Sequence, residues 1–363
     1  MSEPLTIRSV EAVLVMVPMR RALGTSAMGI AEAPLVLVDL RTDEGITGHA
    51  YLFCYLESAG RAVVALFQDV SAVLAGTTVS PADVRRDLAA RFKLLGARGL
   101  VSGVLAGVDV ACWDALAKAA GLPLARMLGA GLRPTPAYNS NGLGLLEPRA
   151  AADEAQELLA EGFQAIKMRL GRPSGHDDLA AVRAVRSAIG ADVVLMSDYN
   201  QALSPNAARQ RCRQLDDEGL AWIEEPVRHD DYATSAELAA LLRTPVQIGE
   251  NFTGPRAMSA ALQHRASDLV MPDLERIGGV SGWLHAAALA DAAGTEMSSH
   301  IYPEVSAHLL AATPTAHWIE YVDWANPILQ QPLKVTDGRV LPPGGPGIGL
   351  DWDTDAVSHY RRG

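Results

Sequence analysis

The spacing of apolar and polar positions changes its rhythm about a third of the way along the chain. Residues 5–18 (LTIRSVEAVLVMVP) are rich in Val and Leu and predict a strand. Residues 35–53 predict a hairpin turned by Asp43-Glu44-Gly45. Residues 19–33 between them (MRRALGTSAMGIAEA) have no clean period and two glycines, and read as a loop. Apolar positions at helical spacing follow over 57–77, 81–94 and 102–120, the last stopped by Gly121-Leu122-Pro123. Strands followed by a block of helices make an α+β domain, assigned to residues 1–130.

From residue 131 short apolar runs alternate with helical segments. The runs are TPAYNS, QAIKMRL, DVVLMSD, LAWIEE, PVQIGE, DLVMPD, TEMSSH and AHWIEY. Eight strands joined by helices predict a (β/α) barrel over residues 131–325. The remainder, 326–363, is rich in Pro and Gly, with a turn at Thr336-Asp337-Gly338 and no eighth helix. It is expected to pack back on the first domain.

Composition narrows the function. A chain of 363 residues that is 49% apolar can bury a large core, and its net charge of −11 disfavours nucleic acid and anionic membranes as partners. Cys54, Cys112 and Cys212 are few and far apart, giving neither a disulfide framework nor a zinc spacing. The N-terminus shows no signal-peptide pattern, and no apolar run is long enough to span a bilayer. A cytoplasmic enzyme is the expectation.

Three of the apolar runs close on an acid: Asp198, Glu224 and Glu250, each 26 residues from the next. That step accommodates one βα unit. Parallel strands present their C-terminal ends on one face, so the three carboxylates should converge. One acid after a strand is commonly a solvated residue or a helix cap; three in register are not. Three oxygen ligands without Cys or His suit a hard dication such as Mg²⁺. The other strand ends carry Lys167 and Arg169, Asn200, Glu225, Asn251, Asp273, His300 and Glu320. A purely structural barrel has no need of so many ionisable groups at one rim.

The motifs AIKMR, SDYNQ, WIEEP, GEN, MPD, IGGVSGW, SSH and AATPTAHWIE, with APLVLVDL, GHAYLF and GVDVACWDAL ahead of them, span most of the chain. In these the chain resembles the enolase superfamily and, within it, the mandelate racemase subgroup. The resemblance implies a capping α+β domain on a modified (β/α)7β barrel, and a homo-oligomer, an octamer in that family. It implies Mg²⁺ held by Asp198, Glu224 and Glu250, with Mn²⁺ able to substitute. Asp273 and His300 match the dyad in which a carboxylate orients a catalytic histidine. Glu320 matches an acid that hydrogen-bonds a substrate carboxylate, and Lys167 the lysine that neutralises it. Arg169 stands where the family has a second lysine, the base on the opposite face of the substrate.

The chemistry explains why such groups are needed. Taking a proton from the carbon beside a carboxylate creates an ene-diolate, which needs fixed positive charge and hydrogen-bond donors; Lys167, a protonated Glu320 and the metal could supply these. His300 has an ordinary pKa suited to a general base, and Asp273 would fix its tautomer. Arginine does not: deprotonating it from about 13.8 at pH 7 costs roughly 9 kcal/mol. Arg169 is therefore expected to hydrogen-bond substrate or reinforce Lys167. The cap offers Leu23, Ala27, Met28, Ile30 and Tyr55, mostly apolar, and Ser140 and Asn200 complete the expected substrate contacts. An apolar cap favours an apolar or aromatic 2-hydroxy acid, because unpaired sugar hydroxyls are costly to bury.

Three readings follow. The first is a racemase or epimerase of a 2-hydroxy carboxylate. The second is an acid dehydratase (a hydro-lyase) with His300 as single base. The third is a metal-binding relative without turnover. The expected partner in each is a small carboxylate.

Overall fold

The structure is a computed structural model that describes residues 4–362. Three antiparallel strands open the chain, β1 (Ile7–Gly24), β2 (Gly29–Thr42) and β3 (Thr47–Phe53), in the order β1-β2-β3. Helices α1 (Glu57–Leu74), α2 (Pro81–Arg91) and α3 (Leu100–Ala119) cover the sheet, followed by the short α4 (Leu124–Met127). Gly48 on β3 lets α3 lie against the sheet, since a Cβ there would stand 2.0 Å from the Ala111 carbonyl oxygen.

The expectation of a loop over 19–33 is corrected. β1 and β2 run on as a two-stranded arm, still paired at Leu23↔Ile30 and Gly24↔Gly29 after a register shift between Pro18 and Leu23. That irregularity hides the alternation. The arm is tied to the barrel by Arg21 Nη1 on Glu161 (2.8 Å) and Arg20 Nη2 on Glu161 (2.7 Å) and Asp323 (3.0 Å). At its tip Thr25 Oγ1 accepts from the amides of Ala27 and Met28, and Ser26 Oγ donates to the Tyr199 carbonyl.

The second layer is a parallel barrel. Its strands and helices alternate as β4 (Thr135–Asn139), α5 (Pro148–Ala160), β5 (Ala165–Arg169), α6 (Gly175–Ile189), β6 (Val194–Asp198) and α7 (Pro205–Leu215). They continue as β7 (Ile223–Glu224), α8 (Tyr232–Leu241), β8 (Val246–Ile248), α9 (Pro255–Gln263), β9 (Leu269–Val270), α10 (Leu274–Ile277) and α11 (Gly279–Ala293). After α12 (Pro303–Ala311) comes β10 (Ile319–Tyr321), which pairs with β4 and closes the ring. The run TEMSSH is reduced to isolated bridges, Val270↔Met297, Met297↔Ala316 and Asp273↔His300.

The last segment turns through β11 (Val335–Thr336) and β12 (Arg339–Val340), which pairs with β4, and ends in α13 (Thr354–Tyr360). It reaches the first sheet: Trp352 Nε1 donates to Asp39 (2.9 Å) and the Arg362 amide to the Leu14 carbonyl (2.9 Å). One sequence expectation about membranes also needs correcting. Leu100–Ala119 is long and apolar enough to cross a bilayer, but it is a core helix here, 72% buried. Its Asp114 accepts from the amides of His49 and Ile348 and pairs with Lys118 (2.7 Å), joining cap and tail.

Candidate active site

Parallel register brings the acids together. Arg169 pairs with Asp198 across β5 and β6, and Asp198 with Glu224 across β6 and β7. Glu250 follows β8, Asp273 caps α10 by accepting from the Arg276 amide (2.8 Å), and Glu320 lies in β10. One carboxylate oxygen from each of Asp198, Glu224 and Glu250 lies within 4.8 Å of the others, and all three residues are buried. Burial and repulsion from Asp198, Glu320 and Glu250 outweigh Lys167 and push Glu224 up to about 8; burial also raises Asp198. Oxygen-only donors with an excess of buried negative charge fit a hard dication.

Lys167 Nζ lies 2.7 Å from Glu224, 2.7 Å from Glu320 and 3.5 Å from Asp198. Burial opposes its charge, but Glu224 and Glu320 overcome that and hold it charged well above the usual lysine range. Burial favours the acid form of Glu320, but Lys167, His300 and the Ser140 hydroxyl (2.6 Å) bring its carboxyl down to about 2. Glu320 is thus an acceptor, fixed also by the Ile301 amide at 3.0 Å.

His300 Nδ1 lies 2.7 Å from Asp273, leaving Nε2 toward Glu250 (3.0 Å) and Glu320 (3.9 Å). Burial lowers its proton affinity, yet Glu250 and Glu320, with the Asp273 contact, raise it well above the ordinary histidine value. Asp273 sits behind the ring, outside the wall of the reaction chamber.

That chamber has a volume of about 170 Å³. Lys167, Arg169, Asp198, Glu250, His300 and Glu320 reach it from the barrel, and Leu23, Ala27, Met28 and Tyr55 from the cap. Asn200 lines it with φ 44°, its amide N–H and Nδ2 donating to Asp198. Ile30 does not: it is 7% exposed, packed in the core beside Leu23. Ser140 stands behind the wall, linking Glu320 to Arg169.

Arg169 Nη1 donates to the carbonyls of Ser140 (2.8 Å) and Gly142 (2.9 Å), and Nη2 to Ser140 Oγ (3.1 Å). Its Nε is buried without a partner. Sequence reasoning missed Thr25, Gln201, Arg276, Ile301 and Trp324, which also line the chamber. Arg276 had a local signal, since it lies three residues after Asp273 in a short helix. Its Nη1 donates to the Glu250 carbonyl and Asn251 Oδ1, its Nη2 to Tyr55 OH. Trp324, from the segment after the last strand, had none.

A capping sheet-and-helix domain over a barrel whose rim gathers carboxylates, a lysine and a His–Asp pair is the architecture of the enolase superfamily. The chain belongs to its mandelate racemase/muconate lactonizing enzyme family: the model of that N-terminal domain matches residues 7–129, and that of the enolase C-terminal domain-like family residues 150–356. An enolase from the alpha proteobacterium BAL199, crystallised with Mg, is 46% identical with a TM-score of 0.96, covering 99% of this chain and 100% of that one. An enolase from Bradyrhizobium complexed with magnesium and mandelic acid is 43% identical, TM-score 0.95, covering 100% of both chains. The L-talarate/galactarate dehydratase of Salmonella typhimurium LT2 is 32% identical over 88% of this chain and 81% of its own. Other curated relatives are named cycloisomerases and an epimerase.

Proposed function

We propose that this protein is a Mg²⁺-dependent acid dehydratase that removes the α-proton of a 2,3-dihydroxy carboxylate with His300 as its single base. The observation that carries the reading is the asymmetry of the chamber. One side offers imidazole Nε2 backed by Asp273; the other offers a guanidinium already bonded to two carbonyls and a hydroxyl. Asp198, Glu224 and Glu250 would hold the dication, which when bound supplies fixed positive charge beside the substrate carboxylate. Lys167 adds a second positive charge for that carboxylate. Asp273 accepts from Nδ1–H, which leaves the Nε2 lone pair for the α-proton once the contact with Glu250 is released. The C2–H pair forms the C2=C3 bond as the C3–O bond breaks, and the proton held at Nε2 goes to the departing hydroxyl, giving water and an enol that becomes a 2-keto-3-deoxy acid. Leu23, Met28, Ile301 and Trp324 would pack the far end of the substrate, so a dihydroxy acid with an apolar end fits better than a fully hydroxylated sugar acid.

A second reading, racemisation or epimerisation of a compact 2-hydroxy acid, is supported by that apolar cap and by the mandelic acid bound in the Bradyrhizobium relative. Incubation with Mg²⁺ and a 2-hydroxy-acid library in D₂O separates them. A 2-keto acid product, with exchange of only the stereoisomer that faces His300, supports the dehydratase. Exchange of both stereoisomers with inversion supports the racemase and overturns the single-base reading. Arg169→Lys sharpens the result, because a lysine near Lys167 has a depressible pKa. Exchange of the second stereoisomer should appear in that variant.

A further inference from the structure

A separate cavity of about 270 Å³ lies where α2 and α3 of the cap meet the start of α9 and the corner between α10 and α11. Three arginines reach its wall, Arg85 from α2, Arg256 from α9 and Arg276 from α10, and no acidic residue lines it. In a chain of net charge −11 that concentration is unexpected. Several exposed arginines elsewhere pair with acids, Arg183 with Glu218, Arg209 with Glu237 and Arg228 with Asp230. Among the described residues, neither Arg85 nor Arg256 forms an ion pair.

The Nη1 of Arg85 is buried and has no hydrogen-bond partner. A buried cationic donor left unpaired is costly unless something outside the chain satisfies it. Asp109 acts on Arg85 through space, but its two oxygens are taken by the Ser281 hydroxyl (2.5 Å) and amide (2.9 Å). Gly278 leaves room for the guanidinium, since a Cβ there would come within 3.3 Å of Nη2. Ser102 and Thr253 also line the cavity.

We propose that this cavity binds a compact oxyanion, either a phosphate group or a small dicarboxylate, gripped by Arg85 and Arg256 from opposite domains. Guanidinium forks match the paired oxygens of both chemistries, and the Thr253 hydroxyl can donate to a third. The site spans the seam between cap and barrel, so an occupant ties the two together. Arg276 lines this cavity and the reaction chamber as well, and holds the Glu250 carbonyl and Asn251. Occupancy is therefore linked to the carboxylate cluster, and by reciprocity the cluster's occupant acts on the anion.

The test is calorimetric titration of the full-length, Mg²⁺-loaded protein with inorganic phosphate and, separately, with malonate, at ionic strength fixed by NaCl and against protein-free blanks. Saturable binding of one anion per chain is expected, weakened about tenfold or more in Arg85→Gln and further in Arg85→Gln/Arg256→Gln. Melting temperature should rise by about 2 °C or more with saturating anion in the parent and not in the double variant. Both arginines lie outside the reaction chamber, so turnover without added anion should be unchanged. If Arg85→Gln fails to fold, the exposed Arg256→Gln alone should still weaken binding. Tighter phosphate binding assigns the site to phosphate esters, tighter malonate binding to dicarboxylates. Absence of saturable binding by both anions, or binding undiminished in the variants, overturns the proposal. His300→Asn should bind the anion like the parent, which keeps this result separate from the reading of the reaction.

Discussion

The two walls of the reaction chamber are built on opposite principles. The barrel wall is ionic and rigidly held: Lys167, Asp198, Glu250, His300 and Glu320 are buried, each with protein partners, and Glu224 stands behind them. The cap wall is largely apolar and comes from an arm that crosses between domains, with Leu23, Ala27 and Met28 near its tip. Buried charges are tolerable only where fixed partners compensate them, as they do at these strand ends. Apolar contacts need only shape. In the proposed reaction, chemistry would therefore fall to the barrel and discrimination to the cap.

The largest expected effect is on the barrel wall. Asp198→Asn, Glu224→Gln and Glu250→Gln should each lower turnover by about a thousandfold or more and weaken Mg²⁺ binding, while the fold persists. Activity assays with Mg²⁺ titration, alongside circular dichroism, check this. A variant that kept most of both properties would remove its residue from the proposed ligand set.

His300→Asn comes next. It should suppress α-proton exchange by a factor of about 10²–10⁴, with Asp273→Asn slowing the same step less. Exchange is followed by NMR in D₂O. Parent-rate exchange in His300→Asn would mean that another group is the base, and the two-wall division would lose its central residue.

The barrel wall was legible in the sequence because its residues are tied to local signals. Each acid ends an apolar run, and parallel pairing turns a constant spacing of 26 residues into proximity. The cap wall was less legible. Its arm looks like a loop in the sequence because the register shift after Pro18 breaks the alternation, and the arginines that pin it act on Glu161 and Asp323, far along the chain. Trp324 enters the chamber only through tertiary packing, and Arg276 is marked only by the short helix after Asp273. The charge state of Glu320 is hard to read from the sequence for a related reason. It is decided by Lys167, His300 and Ser140 together, and no single strand end reveals that sum.

On the cap wall, Met28→Ser should leave the exchange chemistry intact and raise KM for acids with an apolar end by about tenfold, the scale of one buried apolar contact. Polar-ended acids should be affected less. A fall in the maximal exchange rate with KM unchanged would place Met28 in the chemistry and blur the division.

The last prediction tests the seam between cap and barrel. Tyr51 of the cap donates to Glu304 of α12 at 2.7 Å, while the other Glu304 oxygen is buried without a partner. Burial outweighs the Tyr51 bond and raises the Glu304 carboxyl from 4.5 to about 7. A carboxyl raised on folding contributes stability that is fully present below its unfolded value, near 4.5, and is lost as pH rises through about 7. The parent should accordingly lose up to about 3 kcal/mol from this one group between pH 5 and 8. Glu304→Gln keeps an acceptor for Tyr51 and removes the titration. Its melting temperature, relative to the parent, should therefore be higher at pH 8 than at pH 5. Parallel melting curves for the two proteins across that range would show that Glu304 stays ionised in the folded seam, and that cap and barrel meet there through a charge rather than a neutral acid.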